Sequence, residues 1–302
     1  MKNFLYIIFL LFLPGACSTL TTSQIAAVNE FGKTTEEFSA YPAKIMTELA
    51  DIRLTRGLYY ASTLEDPQLH ITELDNIFSQ KEYNYAVSQK IDVTFRIIDR
   101  YAQSLVLLSS KDPIESTEKY AAGFGTGLDS LVTLYNSLDH TTQLPTGIGN
   151  ILNQLIFSGS RQYIKSKQAK NIKRFVVEAD SLVAVMTTNL LDYLQSATIE
   201  ELIVHEERMI RRDYLTYLQQ TESNTFNSQK DYLNLKDKLK NTKLLQEQTI
   251  EATKELRETH RKLLQVIQQK HRIRETIKEL QDFQQQVLAI RKTIMEIESL
   301  NG

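Results

Sequence analysis

The stretch IRETIKELQDFQQQVLAIRKTIMEI, residues 273–297, contains a row of apolar residues separated by 4, 3, 3, 4, 3, 4 and 3 positions. A mean spacing near 3.5 places such residues on one side of a helix, as a narrow seam of the coiled-coil type, with one irregular step where two spacings of three adjoin. The seam consists of Ile273, Ile277, Leu280, Phe283, Val287, Ile290, Ile294 and Ile297.

An apolar seam of this length has to be covered, because its exposure to water is unfavourable. We expect it to pack against the helix predicted over 198–240 as an intrachain hairpin. The alternatives are a second subunit or another protein partner. The surrounding pattern predicts one helix over 228–300, which would be about 110 Å long at 1.5 Å per residue.

The distribution of glycine and proline extends the helical prediction to the whole chain. All five prolines lie at or before Pro145, and residues 160–301 contain neither Gly nor Pro. Because these residues interrupt helices, we predict an all-α fold, a helical bundle with long carboxy-terminal coiled-coil-like helices. Capping residues and prolines set the predicted boundaries. The predicted helices cover 22–40, 43–62, 72–109, 114–138, 146–195, 198–221 and 228–300.

The amino terminus, MKNFLYIIFLLFLPGACSTL, has the form of an export signal. Lys2 precedes ten apolar residues, and a break of small residues then leads to Cys17, the only cysteine in the chain. The apolar run is too short to span a bilayer as a helix, which needs about 20 residues.

Gly15, Ala16 and Cys17 resemble the lipobox of bacterial lipoproteins. The resemblance covers residues 1–18 and implies that the leader is removed and that acyl chains are attached to the Cys17 thiol. It also implies a lipid-anchored protein of the bacterial cell envelope, on the outer membrane and facing the periplasm. An ordinary signal peptide, cut after Ala16 and leaving a free thiol, is the alternative.

The expected organisation has three parts: a signal peptide over 1–16, a helical bundle over 17–222 and a long coiled-coil-like region over 223–302. The formal net charge of −2 favours no nucleic-acid partner. With one cysteine, the chain can form neither an internal disulfide nor a thiolate zinc site.

Histidines are the first candidates for general bases and metal ligands. The five in this chain are scattered over 200 residues, and Glu201 and His205 lie one helical turn apart, so they could meet on one helical face. No third ligand accompanies that pair, and no catalytic or nucleotide-binding motif is present. We therefore predict no enzyme activity, no metal and no cofactor, and the sequence identifies no small-molecule substrate.

The glycine-rich stretch GFGTG, residues 123–127, lies inside a helical pattern and does not follow a strand. A phosphate-binding loop requires that context. We interpret the small residues as a close helix crossing or a kink.

Residues 140–177 contain no acidic side chain. An apolar, glycine-flanked part over 147–157 precedes six cations, which would suit an anionic membrane surface or another anionic partner. The alternative is a buried helix that continues into a solvated basic one. The cations are Arg161, Lys165, Lys167, Lys170, Lys173 and Arg174.

Two functional classes follow from the sequence. The first is an envelope-anchored lipoprotein that acts as a structural or adaptor component, held to the membrane by Cys17, with the carboxy-terminal helices binding a protein partner or a second copy. The second is a membrane-active helical protein that uses residues 147–174, similar in outline to long-helix pore-forming toxins.

Overall fold

The computed structural model describes residues 20–41, 43–110, 113–137, 143–157, 161–220, 225–268 and 273–300, with their side chains except at 80–90, 113–124, 156–157, 161–167 and 198. This part of the chain forms nine helices and no strand, which confirms the all-α prediction. The helices are α1 Thr22–Ser39, α2 Ala43–Ala61, α3 Pro67–Ser109, α4 Pro113–Asn136, α5 Ile148–Phe157, α6 Arg161–Leu194, α7 Ala197–Gln220, α8 Phe226–Ile267 and α9 Ile273–Ser299.

Local capping explains where several helices begin. Thr21 and Gln24 form a capping box at the start of α1, and the Thr225 hydroxyl accepts from the Ser228 N–H at 3.2 Å at the start of α8. Asp66 caps α3 and Pro67 takes its first position. The predicted start at residue 72 is therefore wrong, because proline fits the first turn, where its missing N–H has no intrahelical partner.

The long helices predicted over 146–195 and 228–300 are each divided in two. The first consists of α5, which ends at Phe157, and α6, which begins at Arg161. The second consists of α8 and α9, and the Gln268 N–H closes α8 on the Leu264 carbonyl at 3.0 Å. Lys262 pairs with Glu279 across the turn. Folding α9 back on α8 covers apolar surface that one continuous helix would leave in water.

Two long helices run the length of the bundle. The 43 residues of α3 and the 42 residues of α8 each extend over about 64 Å at 1.5 Å per residue. Helices α1 and α2 follow one another along α3, and Gly57 of α2 lies against Ile77. Helices α6 and α7 follow one another along α8, where Gln246 Nε2 donates to the Leu194 carbonyl at 2.6 Å.

The two ends of the bundle are defined by contacts between distant segments. At one, here called the proximal end, Gln24 Nε2 donates to the Val266 carbonyl at 3.2 Å, and Asn29 Nδ2 donates to Ser109 Oγ at 3.0 Å. At the other, the distal end, the Tyr59 hydroxyl donates to the Ser228 carbonyl at 3.2 Å. The proximal end thus joins the start of α1 with the ends of α3 and α8.

The seam of α9 packs inside this chain, against α8 and α1, so that the hairpin partner is the second half of α8 rather than 198–240. Ile273 is half-buried against the core, and Leu280, Val287, Ile290 and Ile294 are buried. Phe283 is fully buried, and its ring centroid lies 6.2 Å from that of Phe31 and 5.9 Å from that of Phe38.

The assignment of Ile277 to the seam is wrong, because its side chain is 41% exposed. Thr276 is buried instead. With Thr276 in the row, the inward positions follow at alternating steps of four and three up to Ile297, and the irregular step disappears. A regular seven-residue repeat keeps the same side of a helix on its partner over its whole length.

Helix α1 lies parallel to α9 with a constant sequence offset. Two polar pairs connect α1 with α9 and a third connects the start of α2 with α9. Each joins residues 254 positions apart, and the pairs follow one another at intervals of one heptad. The pairs are Gln284–Glu30 at 2.7 Å, Arg291–Glu37 at 3.2 Å and Glu298–Lys44 at 2.7 Å.

Candidate functional site

The predicted lipid-attachment residue, Cys17, lies outside the described residues. The described chain begins three positions later with Leu20, which is buried. Leu20 precedes Gln24, whose amide reaches the end of α8. The chain therefore enters the bundle at the proximal end.

The predicted basic region also lies at the proximal end. Gln168 Nε2 in α6 donates to the Leu108 and Ser110 carbonyls at 3.0 and 2.9 Å, next to the end of α3. Lys170 and Arg174 are exposed and Lys173 is half-buried. The side chains of Arg161, Lys165 and Lys167 lie outside the described set. Ile172, Phe175 and Val176 pack in the core from the same helix.

The apolar element over 147–157 is packed rather than exposed where its side chains are described. Ile148, Leu152 and Leu155 of α5 are buried. The Asp129 carboxylate of α4 accepts from the first amides of α5, Gly149 N–H at 2.8 Å and Asn150 N–H at 3.0 Å. These bonds satisfy donors that a helix start leaves unpaired.

The crossing of α4 and α5 confirms the interpretation of the glycine-rich stretch as a close helix contact. Gly125 and Gly149 face each other there, and a Cβ on either would collide with the backbone of the other. Only glycine allows this approach of the two backbones.

The distal end is built from stacked tyrosines. The rings of Tyr214 and Tyr232 are parallel, with centroids 4.3 Å apart, and Tyr59 meets Tyr214 edge-on at 5.3 Å. Burial raises the pKa of the Tyr59 hydroxyl far above its usual value. This cluster holds the end of α2, the end of α7 and the start of α8 together.

Exposed apolar side chains gather on the helix segments of the distal end. They lie on the end of α2, the first three turns of α3, the end of α7 and the start of α8, and Phe226 is the most exposed, at 79%. Large exposed apolar surfaces are typical of protein contacts. The eight residues are Leu58, Tyr60, Leu69, Ile71, Phe78, Leu215, Phe226 and Leu233.

A buried ion cluster joins α2 to α7 just below the tyrosines. The Glu206 side chain is 0% exposed and that of Asp213 is 1% exposed. Arg56 donates to both, through Nε to Glu206 at 2.8 Å and through Nη1 to Asp213 at 2.6 Å. Arg53 pairs with Glu206 at 2.9 Å and Arg212 with Asp213 at 2.8 Å. Each buried carboxylate is thus held by two guanidinium groups, as burial of a charge requires.

A cavity of about 280 Å³ adjoins this cluster, between α2, the first turns of α3, and α7. Its wall combines three guanidinium groups and one carboxylate with apolar side chains. The lining residues are Ala50, Arg53, Leu54, Arg56, Gly57, Tyr60, Glu73, Ile77, Met209 and Arg212.

No pattern in the sequence predicts this cluster. Arg53 and Arg56 lie three residues apart, and Glu206 and Asp213 lie seven apart, so each pair shares a helix face. That spacing is common on solvated helices, and which two helices meet is a property of the tertiary fold.

A histidine–carboxylate pair joins α8 to α6 in the proximal half, with a buried histidine and an Asp180 side chain that is 47% exposed. His260 is 2% exposed, and its Nδ1 lies 3.4 Å from Asp180 Oδ1. The hydrogen bond from His260 lowers the pKa of the Asp180 carboxyl. Glu201 and His205 are both exposed on α7. Among the described residues no group of three or more metal-ligating side chains is present.

None of the helices in the described ranges has the length and apolar character needed to cross a membrane. In comparisons with known proteins, no family model, no curated protein and no solved structure matches this chain.

Proposed function

We propose that this protein is a lipid-anchored adaptor of the bacterial cell envelope, held to a membrane through Cys17 at its proximal end and binding a protein partner at its distal end. The observation that carries the proposal is that the first described residues and the exposed apolar side chains lie at opposite ends of the bundle. Gln24, four residues after Leu20, donates to the Val266 carbonyl at the end of α8, whereas Phe226 and Leu233 are exposed at its start.

The length of α8 gives the reach of such an adaptor. Ser228 and Val266 lie in one helix, and their separation along its axis is about 57 Å at 1.5 Å per residue. A partner bound at the distal end would be held at about this distance from the lipid layer.

The packing of α9 favours a partner that binds at the distal end over a partner that binds the apolar seam of α9. Leu280, Phe283, Val287 and Ile290 are covered by α8 and α1, so they offer no surface to a partner. The distal apolar side chains are exposed and adjoin a rigid tyrosine cluster, and rigid aromatic surroundings are typical of protein-binding sites.

The anchor is tested by comparing the wild type with Cys17→Ser in envelope fractions. We expect acyl chains on Cys17 by mass spectrometry, and release of the Cys17→Ser variant from the membrane fraction. An unmodified thiol in a membrane-bound mature protein would refute the anchor.

The distal contact is tested by placing a photo-crosslinking amino acid at Leu69 or Phe226, with Leu134 as the matched control. Leu134 is also exposed, at 45%, but lies on α4 away from the distal end. We expect a discrete protein adduct from the two distal positions alone. Equal labelling from all three positions, or none, would contradict the adaptor function.

A membrane-active role is the second candidate, and the exposure of Lys170 and Arg174 at the proximal end favours it. These cations would face anionic headgroups if Cys17 is acylated. Vesicles containing anionic lipid should then bind the wild type more strongly than Lys170→Glu/Arg174→Glu, with Lys230→Glu at the distal end as control. Dye release would additionally require α5 to leave α4 and α6, because its apolar side chains are covered in the bundle.

A further inference from the structure

We propose that the cavity beside the buried ion cluster binds a small organic anion, a carboxylate with a short apolar chain. This site lies away from the anchor and next to the exposed apolar residues of the distal end, with which it shares Tyr60. The proposal rests on three observations: the residues that line the cavity, the bonds that Arg212 makes to Asp213, and the ion pairs that hold Arg56 in place.

Arg212 directs two of its three nitrogens to one acid. A guanidinium group carries five N–H donors. Arg212 places Nε and Nη2 on a single oxygen, Asp213 Oδ1, each at 2.8 Å. Its Nη1 is the nitrogen that we assign to the ligand, because a carboxylate is the group that a guanidinium binds best.

The cluster holds the binding groups in place before a ligand arrives. Arg56 is 12% exposed and bonded to two carboxylates, so it keeps one orientation and loses little conformational entropy on binding. The Arg212 side chain is 59% exposed. It is the most exposed of the three lining arginines, so an anion from solvent would meet it first.

The apolar residues of the wall favour a ligand that carries an apolar chain as well as a charge. Leu54, Ile77 and Met209 line the cavity together with the ring of Tyr60. Small-molecule sites combine an apolar part with a few fixed polar groups, and this cavity has both, although its volume of about 280 Å³ lies just below the usual range. The ligand is therefore small.

Glu73 is the one acid among the lining residues. Its charge opposes the binding of an anion, so its neutralisation should strengthen binding. Loss of the Arg212 charge should weaken it. These opposite signs separate anion recognition from a general effect on the fold.

The test is calorimetric titration of hexanoate into the full chain, with hexanamide and inorganic phosphate as comparison probes. For a fragment of this size we expect a dissociation constant of about 1 mM. Arg212→Gln should weaken hexanoate binding at least tenfold, and Glu73→Gln should strengthen it. Arg208→Gln is the matched control, because Arg208 is exposed on the same helix and does not line the cavity.

Circular dichroism should show unchanged helicity in Arg212→Gln, since Asp213 keeps its bond to Arg56 at 2.6 Å. Three results would each overturn the proposal. These are the absence of saturable hexanoate binding, equal binding to the wild type and Arg212→Gln, and hexanamide or phosphate binding as strongly as hexanoate.

Discussion

Replacing Phe283 by alanine tests the packing of α9 most directly. The Phe283 side chain is fully buried and meets the rings of Phe31 and Phe38. Removal of a buried phenylalanine costs about 3–5 kcal/mol. The two aromatic contacts place this site at the upper part of that range, and we expect a loss of about 4 kcal/mol.

Ile277→Ala is the matched control, because Ile277 lies two turns earlier on the same helix and is 41% exposed. We expect it to change the free energy of unfolding by less than about 1 kcal/mol. Urea unfolding followed by circular dichroism measures both values. For a chain of this size, Phe283→Ala should lower Tm by roughly 8 °C and the control by less than about 2 °C.

Equal losses in the two variants would refute the reasoning, because they would mean that Ile277 is also buried. A second subunit could cover it. In that case Ile277→Ala would also change the elution volume in size-exclusion chromatography, and the seam would extend to a partner as first expected.

Three further substitutions test other parts of the bundle. Arg56→Ala removes a partner from both Glu206 and Asp213 and should lower the free energy of unfolding in urea by about 3–5 kcal/mol. Arg208→Ala, on the exposed face, should change it little. A small change in both variants would mean that the acids are solvated. Gly149→Ala should lower Tm by several degrees, because its Cβ collides with the Gly125 carbonyl; an unchanged Tm would rule out the close crossing. Glu48→Gln should raise Tm at pH 7, because burial raises the pKa of Glu48 and disfavours its ionised form. The gain in Tm should shrink as the pH falls through the raised pKa, since the wild-type carboxyl then becomes protonated. A gain in Tm that does not depend on pH would contradict this reasoning.

The helices could be predicted where their signals are local. Thr21 caps α1, and the helix begins at the predicted residue 22. Asp66 and Pro67 carry an equally local signal for α3, which the predicted start at 72 missed. The all-α class follows from the same reasoning, since no breaker occurs over 160–301.

The end of α8 could not be predicted in this way. No Gly or Pro occurs between Ile267 and Ile273, and a continuous helix satisfies every local preference. Helix α9 packs back on α8 because its apolar side gains a partner there, which is a tertiary effect. Ile277 was misassigned for a related reason, since hydrophobicity alone favours it over Thr276, although the repeat imposed by the neighbouring helices places the threonine inward.

The same distinction between local and tertiary signals applies to the candidate site. The basic residues of α6 could be found from composition, because a run without acids is visible in the sequence. The cavity could not, because its wall combines α2, α3 and α7, whose contact is not encoded in the spacing of any one of them.

The parallel pairing of α1 with α9 also determines when the chain can finish folding. Glu30, Glu37 and Lys44 are among the first residues of the bundle to be synthesised, and their partners follow 254 positions later. Contacts at such sequence separation form late, because closing so long a loop is costly in entropy. Until the last helix emerges, the faces of Phe31 and Phe38 that meet Phe283 remain uncovered, so the nascent chain has to be kept from aggregating over almost its entire synthesis.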